Sequence, residues 1–285
     1  MLLNEAIKEF RKYTEVTKSK GTQDYYKFYL RELDQELGSY DCSEINNNII
    51  LDYIIKRRDY NPEVSNATLN KHLTTLKTVV KYATERIIRF AKLKERKKII
   101  PTISKKTYTK IFSYYKKHMK DNYSFRNYLF QKLLLDTGLR LHEIINVTLR
   151  GIDFDTLSIH IIITKTDTDR YVCFTESTKQ LLQKFISTQN IESLLFYDFK
   201  TNSKMTTSSV ESFVYRLKIK LNISENITPH KWRHTFATNF VNLGGNLETL
   251  RLLLGHTNLK TTQKYLHLSK KDIISSYKTT MVDIL

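Results

Sequence analysis

A chain of 285 residues, 40% apolar and 12% aromatic, can bury one large or two modest cores, which excludes a disordered or fibrous polypeptide. Its 47 Lys and Arg against 29 Asp and Glu leave a net charge of +18; the usual partner of so basic a surface is a long polyanion, the alternative being a merely solvated basic face. Cys42 and Cys173 stand far apart with no CxxC, which excludes a disulfide framework or a cysteine zinc site and fits a reducing, cytoplasmic setting.

The start, MLLNEAIKEF, lacks a basic segment followed by a long apolar run, so it is not expected to be a signal peptide. No run of about 18 apolar residues occurs, and no membrane span is expected. Only seven Gly and three Pro punctuate the chain, which points to a mostly helical protein.

Residues 3–17 are amphipathic through Ile7, Phe10 and Val16, and Gly21 is expected to break the pattern. Residues 22–37 carry Tyr26, Tyr29, Leu30, Leu33 and Leu37 at helical spacing, ended by Gly38. Ser43 is expected to cap a third helix through Ile49, Ile50, Tyr53 and Ile54. Asn61 and Pro62 make a turn, and Asn66 is expected to cap a fourth helix with Leu69, Leu73, Leu76, Val79, Val80 and Ala83 inward. These helices make a small domain over residues 1–89. A basic stretch follows (RIIRFAKLKERKK), with seven cations and one acid. Residues 90–103 are read as a linker that can lie along phosphates, a solvated helix end being the alternative.

A second domain is expected over residues 104–285. Helices are predicted over 104–118 and 121–137, with a short one after Gly138. Residues 152–163 alternate as strands and 170–174 form another, with 164–169 as the hairpin turn between them. Helices then resume, interrupted by a strand candidate at 194–199. The fold class is therefore mostly α (α+β): a helical N-terminal domain, then helices around a small antiparallel sheet.

Four segments can carry chemistry. In TGLRLHEI, Arg140 lies near an element boundary, where a guanidinium can fork onto a phosphate, and Glu143 sits on the same helical face; a surface ion pair is the alternative. In ITPHKWRHTFAT, Thr228 and Pro229 suit a helix start, with His230 in the first turn and Arg233 on its face, where free N–H groups and the helix dipole favour an anion. Trp232, Phe236 and Phe240 form a stripe read as core. His230 and His234 are spaced like zinc ligands, but the glutamate of HExxH is missing, so no metal is expected. In LLLGHTNLKTTQKYLHL, Gly255 ends an apolar helix, His256 follows, and Tyr265 comes nine residues later, with Thr261 and Thr262 able to cap its helix. In TKTDTDRYV, Lys165 sits at a turn, able to reach into a groove or to lie in solvent.

Taken in this order, TGLR-x-x-E, H-x-x-R-H and LGH with a tyrosine nine residues on, the chain resembles the tyrosine recombinase (phage integrase) family over essentially its whole length. Its two-domain size resembles Xer-like recombinases and transposon resolvases, and no additional arm-binding domain is expected. The resemblance implies a core-binding domain followed by a catalytic domain with a C-terminal tail helix that docks on a neighbouring subunit, packing on its own domain being the alternative. It implies that Arg140 and Arg233 clamp the scissile phosphate, that His230 and His256 are the active-site histidines, with His230 a possible base, and that Tyr265 is the nucleophile. Glu143 would support the first arginine. Lys165 matches the hairpin lysine that protonates the leaving 5′ oxygen, although Thr166 and Thr168 depart from the Gly- and Lys-rich pattern usual there.

The implied reaction cuts and rejoins double-stranded DNA at a specific site through a 3′-phosphotyrosyl intermediate. It needs no cofactor and no metal, and runs in a homotetramer in the cytoplasm. Resolution of dimers or cointegrates is the first expectation, and integration or excision of a mobile element the second. A type IB topoisomerase uses similar groups, but LGH with tyrosine nine on favours the recombinase. A non-catalytic DNA-binding regulator would have lost the tyrosine or an arginine. Lys27, Lys71, Lys77 and Lys81 are candidate phosphate contacts in the first domain; solvated faces look the same from sequence.

Overall fold

Apolar side chains recur every three or four positions through the first part of the chain, and each run is a helix with that stripe turned inward. The computed structural model describes residues 1–95, 101–162, 169–189, 191–256, 258–263 and 265. The first helices are α1 (Leu3–Thr17), α2 (Lys20–Leu37), α3 (Asn47–Tyr60) and α4 (Asn66–Thr84). Ile7 and Phe10 of α1 meet Leu30 and Leu33 of α2, Ile50 and Tyr53 of α3, and Leu69, Leu73 and Leu76 of α4 in one buried core. Each such side chain gains roughly 1.5–3 kcal/mol by leaving water.

Helix ends differ from expectation by a few residues. Gly21 lies inside the first turn of α2; the break falls at Lys18 and Ser19, both extended. Asn46, not Ser43, caps α3 by accepting from the N–H of Asn48 (2.9 Å) and Ile49 (3.2 Å), while the Ser43 hydroxyl donates to Asp41. Ser65, not Asn66, caps α4 through the N–H of Thr68. In each case a neighbouring residue of the same capping class takes the position.

The chain divides into two units, Met1–Lys98 and Ile99–Leu285. Part of the stretch expected to be a linker is bound to the first unit. Ile88 is buried, and Phe90 and Leu93 pack on the first core. Asn70 donates to the carbonyl of Leu93 (2.9 Å) and accepts from its N–H (2.9 Å), and Lys77 donates to the carbonyl of Phe90 (2.6 Å). Apolar residues interleaved with the cations are what hold this segment down.

In the second unit, α5 (Lys105–Lys117) and α6 (Asn122–Thr137) start at the side-chain caps Ser104 and Asp121. Helix α6 buries Phe125, Leu129, Phe130, Leu133 and Leu134 around its circumference and so is central. A short α7 (Leu141–Ile144) and a 3-10 turn (Leu149–Gly151) lead into the strands β1 (Ile152–Asp153), β2 (Ser158–Ile161) and β3 (Arg170–Cys173). They form an antiparallel sheet in the order β1-β2-β3, with Ile159 opposite Val172 and Ile161 opposite Arg170.

Helix α8 (Glu176–Gln189) follows. The apolar run at 194–199 yields only the short strand β4 (Tyr197–Asp198), paired with β5 (Ser203–Lys204); Leu195 and Phe196 are apolar because they fill the core. Then come α9 (Thr207–Lys220), α10 (Pro229–Asn242), α11 (Leu247–Leu254) and α12 (Lys260–Gln263). Trp232 of α10 is fully buried and stacks on Phe112 of α5, with ring centroids 5.6 Å apart. The expected tail helix after Tyr265 and most of the expected hairpin turn lie outside the described residues. Among the described residues, no helix is long and apolar enough to cross a membrane.

Candidate active site

Three helix boundaries converge on one place. Helix α6 stops at Gly138, which takes the left-handed conformation (φ +63°); a Cβ there would stand 2.3 Å from a ring carbon of Phe236. Only glycine suits both the backbone and the space. Two residues on, Arg140 is the N-cap residue of α7. Its N–H donates to Glu143 (2.6 Å), and its Nη1 donates to Oε1 of the same carboxylate (2.9 Å).

The second boundary is the start of α10. Thr228 has the extended N-cap backbone and Pro229 is the first helical residue, as expected, although the Thr228 hydroxyl makes no capping bond. His230 is exposed in the first turn. Arg233, one turn on, is only 5% exposed. Its Nη1 donates to the carbonyl of Gly138 (2.8 Å), and its Nη2 donates to the carbonyl of Leu254 (2.6 Å) and approaches Nε2 of His256 (3.1 Å).

The third boundary is the end of α11, closed by Gly255 in the left-handed conformation (φ +60°). The last carbonyls of a helix lack intrahelical donors and carry its negative end. Here they meet cations: Leu254 accepts from Arg233, and Gly255 from Arg140 (3.3 Å). His256 follows, with Nδ1 2.9 Å from the Thr262 hydroxyl. Because an arginine can only donate, Nε2 of His256 accepts, and Nδ1 carries the hydrogen given to Thr262. Thr262 therefore orients the histidine from inside α12, rather than capping that helix as expected.

Tyr265 comes next and is 3% exposed, its ring packed with Phe236, Ala237, Leu250 and Leu254. Its hydroxyl lies 2.7 Å from Nδ1 of His234. The histidine at the phenol oxygen is thus His234, one position beyond Arg233, and not His230, which was expected as a possible base. His230 begins α10, whereas Tyr265 enters against its next turn.

The charges are strongly perturbed. Burial by itself would raise the pKa of Glu143, but hydrogen bonds and charge from Arg170, aided by Arg140, hold it at about 2. Burial, and then the neighbouring Arg140 cation, push Arg233 down to about 9, still protonated at neutral pH. Burial raises Tyr265, with Arg233 pulling the other way.

Among the expected site residues, Arg140, Glu143, Arg233 and His256 are joined by hydrogen bonds to each other or to the same two helix ends. Tyr265 joins them through the α10–α11 cluster. Lys165, Thr166 and Thr168 lie outside the described residues. Lys27, Lys71 and Lys81 are exposed in the first unit. Lys77 is half-buried: its ammonium donates to the Phe90 carbonyl, and burial, then Lys92, lower its pKa. Sequence reasoning missed Arg170, whose guanidinium grips both oxygens of Glu143 (2.8 Å each). Strand alternation carries the signal, since Val172 must face inward and Arg170 shares its face. Among the described residues, no group of three or more His, Cys, Asp or Glu is arranged to hold a metal.

A model of the phage integrase family matches residues 101–272. Tyrosine recombinase XerA of Saccharolobus solfataricus is 40% identical over 150 residues, 53% of this chain and 48% of that protein, so the match spans about half of XerA. XerC of Leptospira interrogans is 26% identical over 295 aligned positions, covering 97% of this chain and 93% of its own. Among solved structures, the Tn1549 transposon integrase in complex with transposon right end DNA superposes with a TM-score of 0.79 at 20% identity, covering 98% of this chain and 99% of that one. XerH recombinase bound to a palindromic difH substrate gives 0.76 at 18% identity, covering 96% and 84%. At these identities the structural likenesses speak for the fold.

Proposed function

Because the chain belongs to the phage integrase family and is a site-specific tyrosine recombinase, an enzyme that breaks and rejoins DNA, we propose that Tyr265 is its nucleophile and that Arg140 and Arg233 hold the scissile phosphate of a DNA duplex. One observation carries these roles. Arg140 and Arg233 both donate to the C-terminal carbonyls of α11, immediately before His256, and Tyr265 packs against that same helix.

Attack on phosphorus builds negative charge on the non-bridging oxygens. Fixed guanidiniums in a partly dry site stabilise that charge, each such donor being worth about 10²–10³ in rate. Arg140, Arg170 and Arg233 with the single carboxylate of Glu143 leave the cluster cationic. His230 is proposed as a further contact to the phosphate, and His256 as a support that holds Arg233 in place. His234 takes the phenol proton as the Tyr265 oxygen bonds to phosphorus, the bond to the 5′ oxygen breaks, and that oxygen leaves with a proton, which Lys165 is proposed to supply. The product is a 3′-phosphotyrosyl bond and a free 5′ hydroxyl. Reversal with another 5′ hydroxyl rejoins the strand without ATP.

A duplex nicked near the cleavage position traps this intermediate, because the short 5′ fragment diffuses away. The wild-type chain is expected to form a denaturant-stable adduct, and Tyr265→Phe to bind the same duplex and form none. An adduct that persists in Tyr265→Phe would remove the proposal.

Resolution of dimers or cointegrates, by homotetramers acting in the cytoplasm, is the proposed role, supported by the Xer relatives. Integration or excision of a mobile element is favoured by other relatives, the transposon integrase and a probable integrase/recombinase of Acholeplasma phage L2. Sequencing the DNA captured by the purified chain separates the two, by showing whether its sites border a mobile element.

A further inference from the structure

We propose that Arg170 is a positioning residue for strand cleavage: it holds Glu143 so that this carboxylate orients Arg140 without neutralising it. The proposal rests on Arg140 binding the phosphate.

Arg170 opens β3 on its buried face and is 8% exposed, whereas Tyr171 beside it is exposed. Its Nε donates to the carbonyl of Leu253 (2.9 Å), while Nη1 and Nη2 donate to Oε1 and Oε2 of Glu143 (2.8 Å each). The planar fork matches the carboxylate at two points, which a lysine cannot do. Beneath it, a Cβ on Gly255 would lie 3.0–3.2 Å from three atoms of the Arg170 side chain. Arg170 therefore joins the strand, α7 and the turn that carries His256.

The charges explain why a second arginine is needed. Glu143 accepts from both the N–H and the guanidinium of Arg140. Alone, that pair is neutral, and a neutral pair attracts a phosphate weakly. Adding Arg170 leaves the trio with a net positive charge. Arg170 faces Glu143 and is enclosed, while the Arg140 side chain keeps 29% of its surface open to an incoming anion. Each arginine thus has a separate task, one holding the carboxylate and the other meeting DNA.

The test is single-turnover formation of the covalent adduct on a nicked duplex at saturating protein, alongside duplex affinity and a thermal melt. Arg170→Gln is expected to slow cleavage about 100-fold with affinity within about threefold. The double variant Arg170→Gln with Glu143→Gln is expected to regain about tenfold over Arg170→Gln, because the unmatched carboxylate is gone. A purely architectural arginine would give no such recovery. Wild-type rates in Arg170→Gln, or a double variant no faster than the single, would overturn the proposal. If Arg170→Gln melts below the assay temperature, Arg170→Lys carries the test, since it keeps the cation and loses the fork. A roughly tenfold slower cleavage at unchanged affinity supports the proposal, and wild-type cleavage overturns it. An absent adduct in the wild-type chain would instead dismiss the underlying role of Tyr265.

Discussion

Tyr265 is a buried phenol whose pKa is raised by that burial. At neutral pH it holds its proton, so the proposed attack needs an acceptor close by. His234 Nδ1, 2.7 Å away, is placed to be that acceptor. Replacing His234 by Gln is expected to slow adduct formation by about 10²-fold. Rates of His234→Gln and His230→Gln on the nicked duplex, measured from pH 6 to 9, check this. If His234→Gln cleaves like wild type while His230→Gln does not, the proton goes to His230. The proposed nucleophile and the two proposed phosphate-binding guanidiniums are legible in the sequence because short motifs mark them: an arginine after a helix-stopping glycine, and a tyrosine at set distance after LGH. Their supports are not. Thr262 and His234 look like ordinary helix residues until α10 and α12 are packed together. Arg170 looks like an ordinary strand-end cation until the register of β3 turns it inward.

The helices and strands exist to deliver those side chains, and two of them show how finely. At the end of α6, Gly138 accepts Arg233 on its carbonyl and sits against Phe236 of α10. Gly138→Ala must strain a positive φ and push a ring aside, so about 2–4 kcal/mol of destabilisation is expected, with loss of cleavage. Urea unfolding compared with wild type measures it, and an unchanged midpoint would show that α6 and α10 separate freely. In the first unit, His72 of α4 is 1% exposed, meets the Tyr53 hydroxyl of α3 at 2.6 Å and lies 3.7 Å from Glu32 of α2. Burial, and then Arg57, lower its pKa to about 4. A folded-state value below the unfolded one means that stability is intact above pH 6.5 and is lost as pH falls towards 4. The loss amounts to about 3 kcal/mol by linkage. Stability measured across that window should fall in wild type and much less in His72→Gln; parallel curves would assign the acid sensitivity elsewhere. The apolar stripes predicted all four of these helices, because period alone reveals an amphipathic helix. The caps slipped by one to three residues, because neighbouring Asn and Ser are chemically interchangeable there. The buried His72 gave no sign, since nothing in its sequence surroundings marks it as inward except the stripe of Leu69, Leu73 and Leu76.

Two compact units and a net charge of +18 suit a molecule that holds a polyanion. The cations are not all free to do so. Arg170 is buried on Glu143, and Lys77 is bound to the backbone. Lys27, Lys71 and Lys81 remain exposed on α2 and α4. Charge counted from sequence therefore overstates the cations that can meet phosphates, and the number that do is a thermodynamic observable. Each phosphate neutralised releases condensed counterions, so the logarithm of affinity falls linearly with the logarithm of salt, with a slope of about −0.9 per contact. Titration of a site-length duplex from roughly 50 to 200 mM salt should show a loss of roughly 10³-fold or more. Replacing Lys27, Lys71 and Lys81 together by Gln should flatten the slope by up to about three contacts, whereas Lys77→Gln should leave it unchanged. A slope near zero in the wild-type chain would mean that the excess charge is merely solvated, and that whatever grips the duplex does so without it.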